Sequence, residues 1–315
     1  MRALVLGGSG ASGAPAVELL RAGGDSAVVA GRDPARADRV IDLRAPDRAA
    51  AFVAALGDVD VVVNAAGVED PGLAAAAAER GVAFVDITAS ASYVAAIERL
   101  APPAPVLLSV GLAPGLTNLL AATVHRAASR PGDIDIALVV GAGERHGAAG
   151  VAWSFGLLGR RFADPATGER VRNYTRPRRF DLPGLGARRL YRADFSDQYV
   201  LTRDLGVGVR TYFGLDSRAA TATLAALTWV PGGSHAPRGL HLPGGDRWLA
   251  LARSGDGITR WAQGRLQSHA TAVLAVAAAR RATELPAGVH HLHRVMDLAD
   301  LPAGAGIDLP GARVG

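Results

Sequence analysis

Six residues near the start of the chain, Gly8-Ser9-Gly10-Ala11-Ser12-Gly13, carry the spacing Gly-x-Gly-x-x-Gly directly after the apolar run Ala3-Leu4-Val5-Leu6. Glycines let the backbone turn sharply and approach a pyrophosphate, and the free N–H groups of a following helix face the anion. The spacing acquires this meaning from its place between a strand and a helix. Gly31-Arg32 then bears on the choice of dinucleotide. A small residue followed by arginine leaves room for a 2′-phosphate, where an NAD site usually sets a carboxylate, so NADP is expected, with NAD as second choice. The alternative is an Arg32 solvated in a turn. Asn64, Ala65 and Gly67 end a β-branched run and are expected along the adenosine, while Gly111, Pro114 and Gly115 are expected at the nicotinamide end.

Hydride transfer needs mainly positioning, but forming or breaking an imine calls for a group that exchanges protons near neutrality. His146 is the first choice, with Tyr93 and Asp86 in reserve; a satisfied loop histidine and an Asp86 that caps a helix are the bland alternatives. Thr88, Asn118, Gln198, Tyr199, Arg203 and Gln267 are the expected substrate contacts, arginine being suited to a carboxylate. The triplet His290-His291-x-His293 lacks a carboxylate pair or fourth ligand, so no metal is expected.

Absences narrow the chemistry further. The 315 residues include no cysteine and no lysine, and all 34 basic side chains are arginine. Thiol nucleophiles, Schiff bases, the P-loop lysine and a Tyr-x-x-x-Lys couple are thereby excluded. The net charge of +5 is spread without a basic tail, which argues against nucleic acid, and no apolar run approaches a membrane span. Cytoplasmic residence and a small-molecule substrate are expected.

These residues require strands that end together. Residues 2–6, 26–30, 39–42, 58–63, 83–87 and 106–110 alternate with helices near 11–22, 47–56 and 71–80, the pattern of a Rossmann-type doubly wound parallel sheet. Beyond about residue 130 the alternation stops. Half-buried strands are expected at 134–140, 188–195, 207–215, 248–253 and 258–263, with helices near 149–162, 196–205 and 217–230. This describes an α+β domain on a mostly antiparallel sheet, giving an α/β chain divided as 1–128, 129–265 and 266–315. The stretches 231–245 and 302–315 are expected as surface loops.

The segment Gly111-x-x-Pro114-Gly115-x-x-Asn118 following Val85-Asp86-Ile87-Thr88 resembles the saccharopine dehydrogenase-like family of NAD(P)-dependent oxidoreductases. Gly141–Gly147 and Gly264-x-x-Gln267-Ser268-x-Ala270-Thr271-Ala272 are similar to bacterial members. The resemblance implies a C-terminal helix returning to the nucleotide domain, a homodimer, and hydride transfer at a C–N bond of an amino-acid-like substrate. Reduction of C=C bonds in lipid or polyketide intermediates occurs in the same family and stays open. A regulator that holds NADP without turnover is the alternative of another class.

Overall fold

The computed structural model describes residues 1–88, 90–130, 132–143, 154–231 and 244–310. The chain divides into two compact units, one of residues 1–116 with 268–302 and one of 117–267 with 303–315. This differs from the expected boundary at 128 because the helix Thr117–Ala127 groups with the second unit.

The first unit contains β1 (Arg2–Leu6), β2 (Ser26–Gly31), β3 (Arg39–Val40), β4 (Val61–Asn64), β5 (Ala83–Asp86), β6 (Pro105–Leu108) and, far along the chain, β15 (Gly288–His291). They form a sheet in the order β15-β6-β5-β4-β1-β2-β3, every neighbouring pair parallel. Continuous apolar runs such as Val61-Val62-Val63 suit strands buried on both faces. Helices α1 (Gly13–Ala22), α2 (Arg48–Ala54), α3 (Pro71–Ala78) and α4 (Ala91–Glu98) connect them. α3 starts sharply because Asp70 accepts the Gly72 N–H at 2.9 Å and Pro71 supplies a helical φ. Its alanines then let it pack closely on the sheet.

The histidines of β15 are not all at the surface. His291 is 2% exposed, its Nδ1 lies 2.9 Å from Ser109 Oγ and its Nε2 lies 2.7 Å from Glu98 Oε1. One imidazole therefore ties the late strand to β6 and α4. Serine, histidine and glutamate in a row invite a nucleophilic reading, yet Ser109 is only 1% exposed and out of reach of a substrate.

The second unit holds α5 (Thr117–Ala127), β7 (Ile134–Val140), β8 (Arg161–Ala163), β9 (Arg170–Arg172), β10 (Thr175–Leu182), β11 (Gly186–Arg192), α6 (Ser196–Leu205), β12 (Val209–Leu215), α7 (Arg218–Leu227), β13 (Arg247–Ser254), β14 (Thr259–Arg265) and β16 (Ile307–Asp308). Its main sheet runs β10-β11-β12-β7-β13-β14-β16, antiparallel except for the parallel pair β12/β7. β8 and β9 pair separately. Three expectations fail here. Residues 161–163 are a strand rather than the end of a helix, β10 was not foreseen, and the tail contributes β16 beside β14. The C-terminal helix is α8 (Gln267–Ala282), followed by the short α9 (Leu292–Val295).

A buried carboxylate joins the second unit's helices to its sheet. Asp197, fully buried at the start of α6, accepts the Thr117 hydroxyl of α5 at 3.0 Å and the Thr211 hydroxyl of β12 at 2.7 Å. Burial pushes its carboxyl up to about 6 against 3.8, and the two hydroxyl bonds only partly offset this. The folded chain therefore holds this proton more tightly than the unfolded chain, so the contribution is fully present below pH 3.8 and lost as pH rises to about 6. Asp197→Asn should abolish it. The stability of the variant relative to wild type is expected to improve by about 2 kcal/mol between about pH 4.5 and 7.5, read from urea unfolding at both values; a difference that does not change with pH would contradict the assignment.

Candidate functional site

The dinucleotide signature forms a tight turn of backbone against backbone. Gly7 N–H donates to Ala30 at 2.9 Å and Gly10 N–H returns to Gly7 O at 2.8 Å, closing the loop before α1. Gly7 has φ +70°, and a Cβ there would lie 2.8 Å from Ala65 O in the turn after β4. A Cβ at Gly13 would lie 2.1 Å from Gly7 O. Gly7 is thus a fourth required glycine, adjoining the expected Gly8, Gly10 and Gly13; its place directly after the apolar run was the signal. Among the described residues, the N–H groups of Ala11, Ser12 and Gly13 donate to no protein group. Together with the start of α1 they provide the bare donors that a diphosphate needs, with no side chain in the way. The sheet reverses its order between β1 and β4, the place where doubly wound sheets bind ligands.

At the end of β2, the nearest atom to a Cβ built on Gly31 is Ser9 Oγ, 3.9 Å away. This open space next to the glycine turn fits the adenosine side of an NADP. Arg32 is exposed beyond it, and Arg36, four residues on, donates from Nη2 to Ser9 O at 3.1 Å. Arg36 was missed, although its spacing from Arg32 could have suggested a pair.

The ends of β4 and β5 are held by one carboxylate. Asp86 Oδ2 accepts Asn64 Nδ2 at 2.7 Å and the Tyr93 hydroxyl at 2.8 Å, and Oδ1 accepts the Thr88 N–H at 2.7 Å. Asn64 in turn donates to Val68 O and accepts the Ala66 N–H, which fixes the turn containing Ala65 and Gly67. Burial raises the carboxyl of Asp86, and burial with the facing Asp86 charge raises the Tyr93 hydroxyl far above its ordinary range. Each of these two groups is thereby engaged by the other, which gives both a part in holding the turns. Asp86 caps no helix, because Ser90 precedes α4. Thr88 lends its backbone to this cluster. Glu69, whose carboxyl is also raised by burial, lies close enough to feel the Asp86 charge.

Residues 112–116, after β6, form an irregular turn, with φ/ψ outside the helical region at Ala113, Pro114 and Gly115. Pro114 precedes the helix without opening it, since α5 begins only at Thr117. The turn is fixed to α8: Leu112 N–H donates to Thr271 Oγ1 at 3.3 Å, and a Cβ on Gly111 would lie 3.3 Å from Thr271 Cγ2. Gly111 (φ +144°) and Gly115 (φ +135°) are therefore required by the turn itself.

The remaining expected substrate residues lie on α5, α6 and α8. Asn118 is fully buried in the first turn of α5, and Gln267 opens α8. Gln198 is buried, accepting Arg192 Nη2 at 2.9 Å and donating to Ala193 O, while Tyr199 donates to Asp194 at 2.8 Å. Arg203 pairs with Asp204 at 3.0 Å on the outside of α6. His146 lies outside the described residues.

If Tyr93 buttresses Asp86 rather than reacting, Tyr93→Phe should cost about 1.5–3 kcal/mol, the net value of one hydrogen bond to a charged group, and leave NADPH affinity within about threefold. Urea unfolding and a fluorescence titration would check both. A large loss of turnover at unchanged stability and cofactor affinity would instead give the hydroxyl a chemical role.

Comparison with known proteins agrees with this geometry. Residues 3–106 match the family model described as the saccharopine dehydrogenase NADP binding domain. No curated protein matches the chain. Among solved structures, the apo saccharopine dehydrogenase (L-Glu forming) from Saccharomyces cerevisiae is 13% identical over 93% of this chain and 94% of that one, with a TM-score of 0.60. An amine dehydrogenase from Mycobacterium smegmatis is 13% identical over 97% and 98%, with a TM-score of 0.48. The shared fold extends across both units in the first of these, and the nucleotide-binding match falls on the glycine turn, Gly31-Arg32, Asn64 and Asp86. On these grounds the chain has the fold of saccharopine dehydrogenase, and the model that its first unit matches is one for an NADP binding domain.

Proposed function

We propose that the protein is an NADP-dependent oxidoreductase that moves a hydride to or from a C–N bond, as imine or secondary amine, of an amino-acid-like substrate. The observation that carries this reading is the bare backbone cradle at residues 7–13, joined to a nucleotide-binding match of saccharopine dehydrogenase type. The bound nucleotide supplies the hydride. The chain's own share is binding and orientation. The N–H groups of Ala11, Ser12 and Gly13 hold the diphosphate, Gly31 leaves room beside Ser9, and Arg32 with Arg36 takes the 2′-phosphate. The small residues of the turn held by Asn64 and Asp86 admit the adenosine side without obstruction. An iminium already carries its charge, so the hydride step needs no partner proton. Condensation or hydrolysis of the imine does need one, and His146 is the proposed carrier because an ordinary imidazole titrates near neutrality.

The experiment is spectrophotometric oxidation of NADPH against imines formed from amino acids with aldehydes or 2-oxo acids, beside a panel of enones. Turnover with an imine is expected; turnover restricted to enones would move the protein to C=C reduction, and tight NADPH binding without any turnover would make it a regulator. The cofactor assignment has its own outcome. Arg32→Ala combined with Arg36→Ala should weaken NADPH by about tenfold or more while changing NADH by less than about twofold, since one charge-assisted phosphate contact is worth about 1.5–3 kcal/mol. Equal effects on both nucleotides would refute it.

A further inference from the structure

The second unit contains a cavity of about 870 Å³ whose wall carries Arg179, Arg188, Arg189 and Arg218 with Tyr191 and Thr221. Its size falls within the range of small-molecule sites. The first three arginines come from the β10–β11 ribbon, where Arg179 stands directly opposite Arg189, and Arg218 opens α7. Like charges placed opposite each other on a ribbon repel. Several neighbouring arginines find carboxylates: Arg178 pairs with Asp135, Arg176 with Glu169, Arg192 with Asp164 and Arg210 with Asp133, while others such as Arg172 and Arg253 pair with none among the described residues. The four at the cavity form no ion pair with a described residue, and Asp181, opposite Ala187 on the same ribbon, pairs with none of them.

Two further features mark the wall as built around something absent from the protein. Arg188 Nε is buried without a hydrogen-bond partner, a state that is costly for a charged donor. Arg218, itself exposed, reaches from Nη2 across to Ala187 O at 3.2 Å, which holds the guanidinium over the ribbon. The nearest acidic side chain before α7, Asp216, is committed to the N–H groups of Ala142, Ser217 and Gly245. Arg188 projects on the face of Leu190, which α7 covers through Thr221, while Arg179 and Arg189 project on the other. The planar forks of Arg188 and Arg218, without counter-charge, are complementary to an oxygen-rich anion, each able to take a carboxylate or phosphate in bidentate fashion.

We propose that this cavity binds a small polyanion bearing phosphate or several carboxylate groups. The site consists of second-unit residues only and does not depend on the nucleotide reading. The test is calorimetric titration of the full chain with inorganic pyrophosphate and, separately, citrate, at about 50 mM salt so that screening is modest. At least one of the two is expected to bind with a Kd of about 1 mM or tighter, and which of them does so separates a phosphate ligand from a polycarboxylate. Arg188→Gln with Arg218→Gln should weaken that binding at least about tenfold, whereas Arg80→Gln with Arg253→Gln, an equal change of net charge on exposed positions, should alter it less than about twofold. Binding of neither anion, equal weakening by both variants, or full retention in the first variant, as expected of an anion held at the glycine turn, would each overturn the proposal. Should the first variant unfold, hydrogen exchange on the wild-type chain decides: added anion should protect residues 186–191 and 218–222, and protection absent there would refute it.

Discussion

Where β1 ends, three stretches of main chain lie closer together than any side chain would allow. Gly7 presses on the Ala65-Ala66 turn after β4, and Gly13 presses on Gly7, so α1 starts almost in contact with the strand it follows. This constraint leaves the first N–H groups of α1 uncovered at the point where the sheet reverses order. The other features of the first unit maintain that arrangement. Asn64 and Asp86 hold the adjoining turns, and His291 fastens the late strand β15 to β6 and α4.

Much of this was legible in the sequence, for physical reasons that can be stated. Parallel strands buried on both faces give unbroken β-branched runs, and glycines demanded by close approach fall at fixed offsets from them. The glycine turn and β1, β2, β4, β5 and β6 could therefore be read locally. β10 escaped notice because most of its side chains, from Arg176 to Arg179, are exposed and polar, so it lacks the alternation that marks a half-buried strand. The role of His291 was hidden in another way. Its partners Glu98 and Ser109 lie 193 and 182 residues away, and nothing near it in sequence announces them. Asp86 and Tyr93 show the limit of reading chemistry from residue type, since a carboxylate and a phenol at a strand end look reactive until each is found bonded to the other.

Using arginine for every cation has consequences throughout. Arginine cannot form a Schiff base or shed its proton, so it binds and orients rather than reacts. Next to the glycine turn this suits a phosphate on the cofactor. In the second unit Arg176, Arg178, Arg192, Arg203, Arg210 and Arg265 are neutralised by aspartate or glutamate, and the unpaired group on the β10–β11 ribbon is set apart by lining a cavity. The fold thus concentrates backbone donors in one unit and guanidinium donors in the other, and both are suited to anions.

The central claim is that the turn at residues 7–13 grips a diphosphate, and calorimetric titration with NADPH of the wild-type chain beside Gly13→Val tests it most directly. The account predicts one equivalent taken up with a Kd of about 10 μM or tighter, and no detectable uptake by the variant, whose side chain would collide with Gly7 O while the sheet remains folded by circular dichroism. Absence of uptake by the wild type, or undiminished uptake by the folded variant, would contradict it.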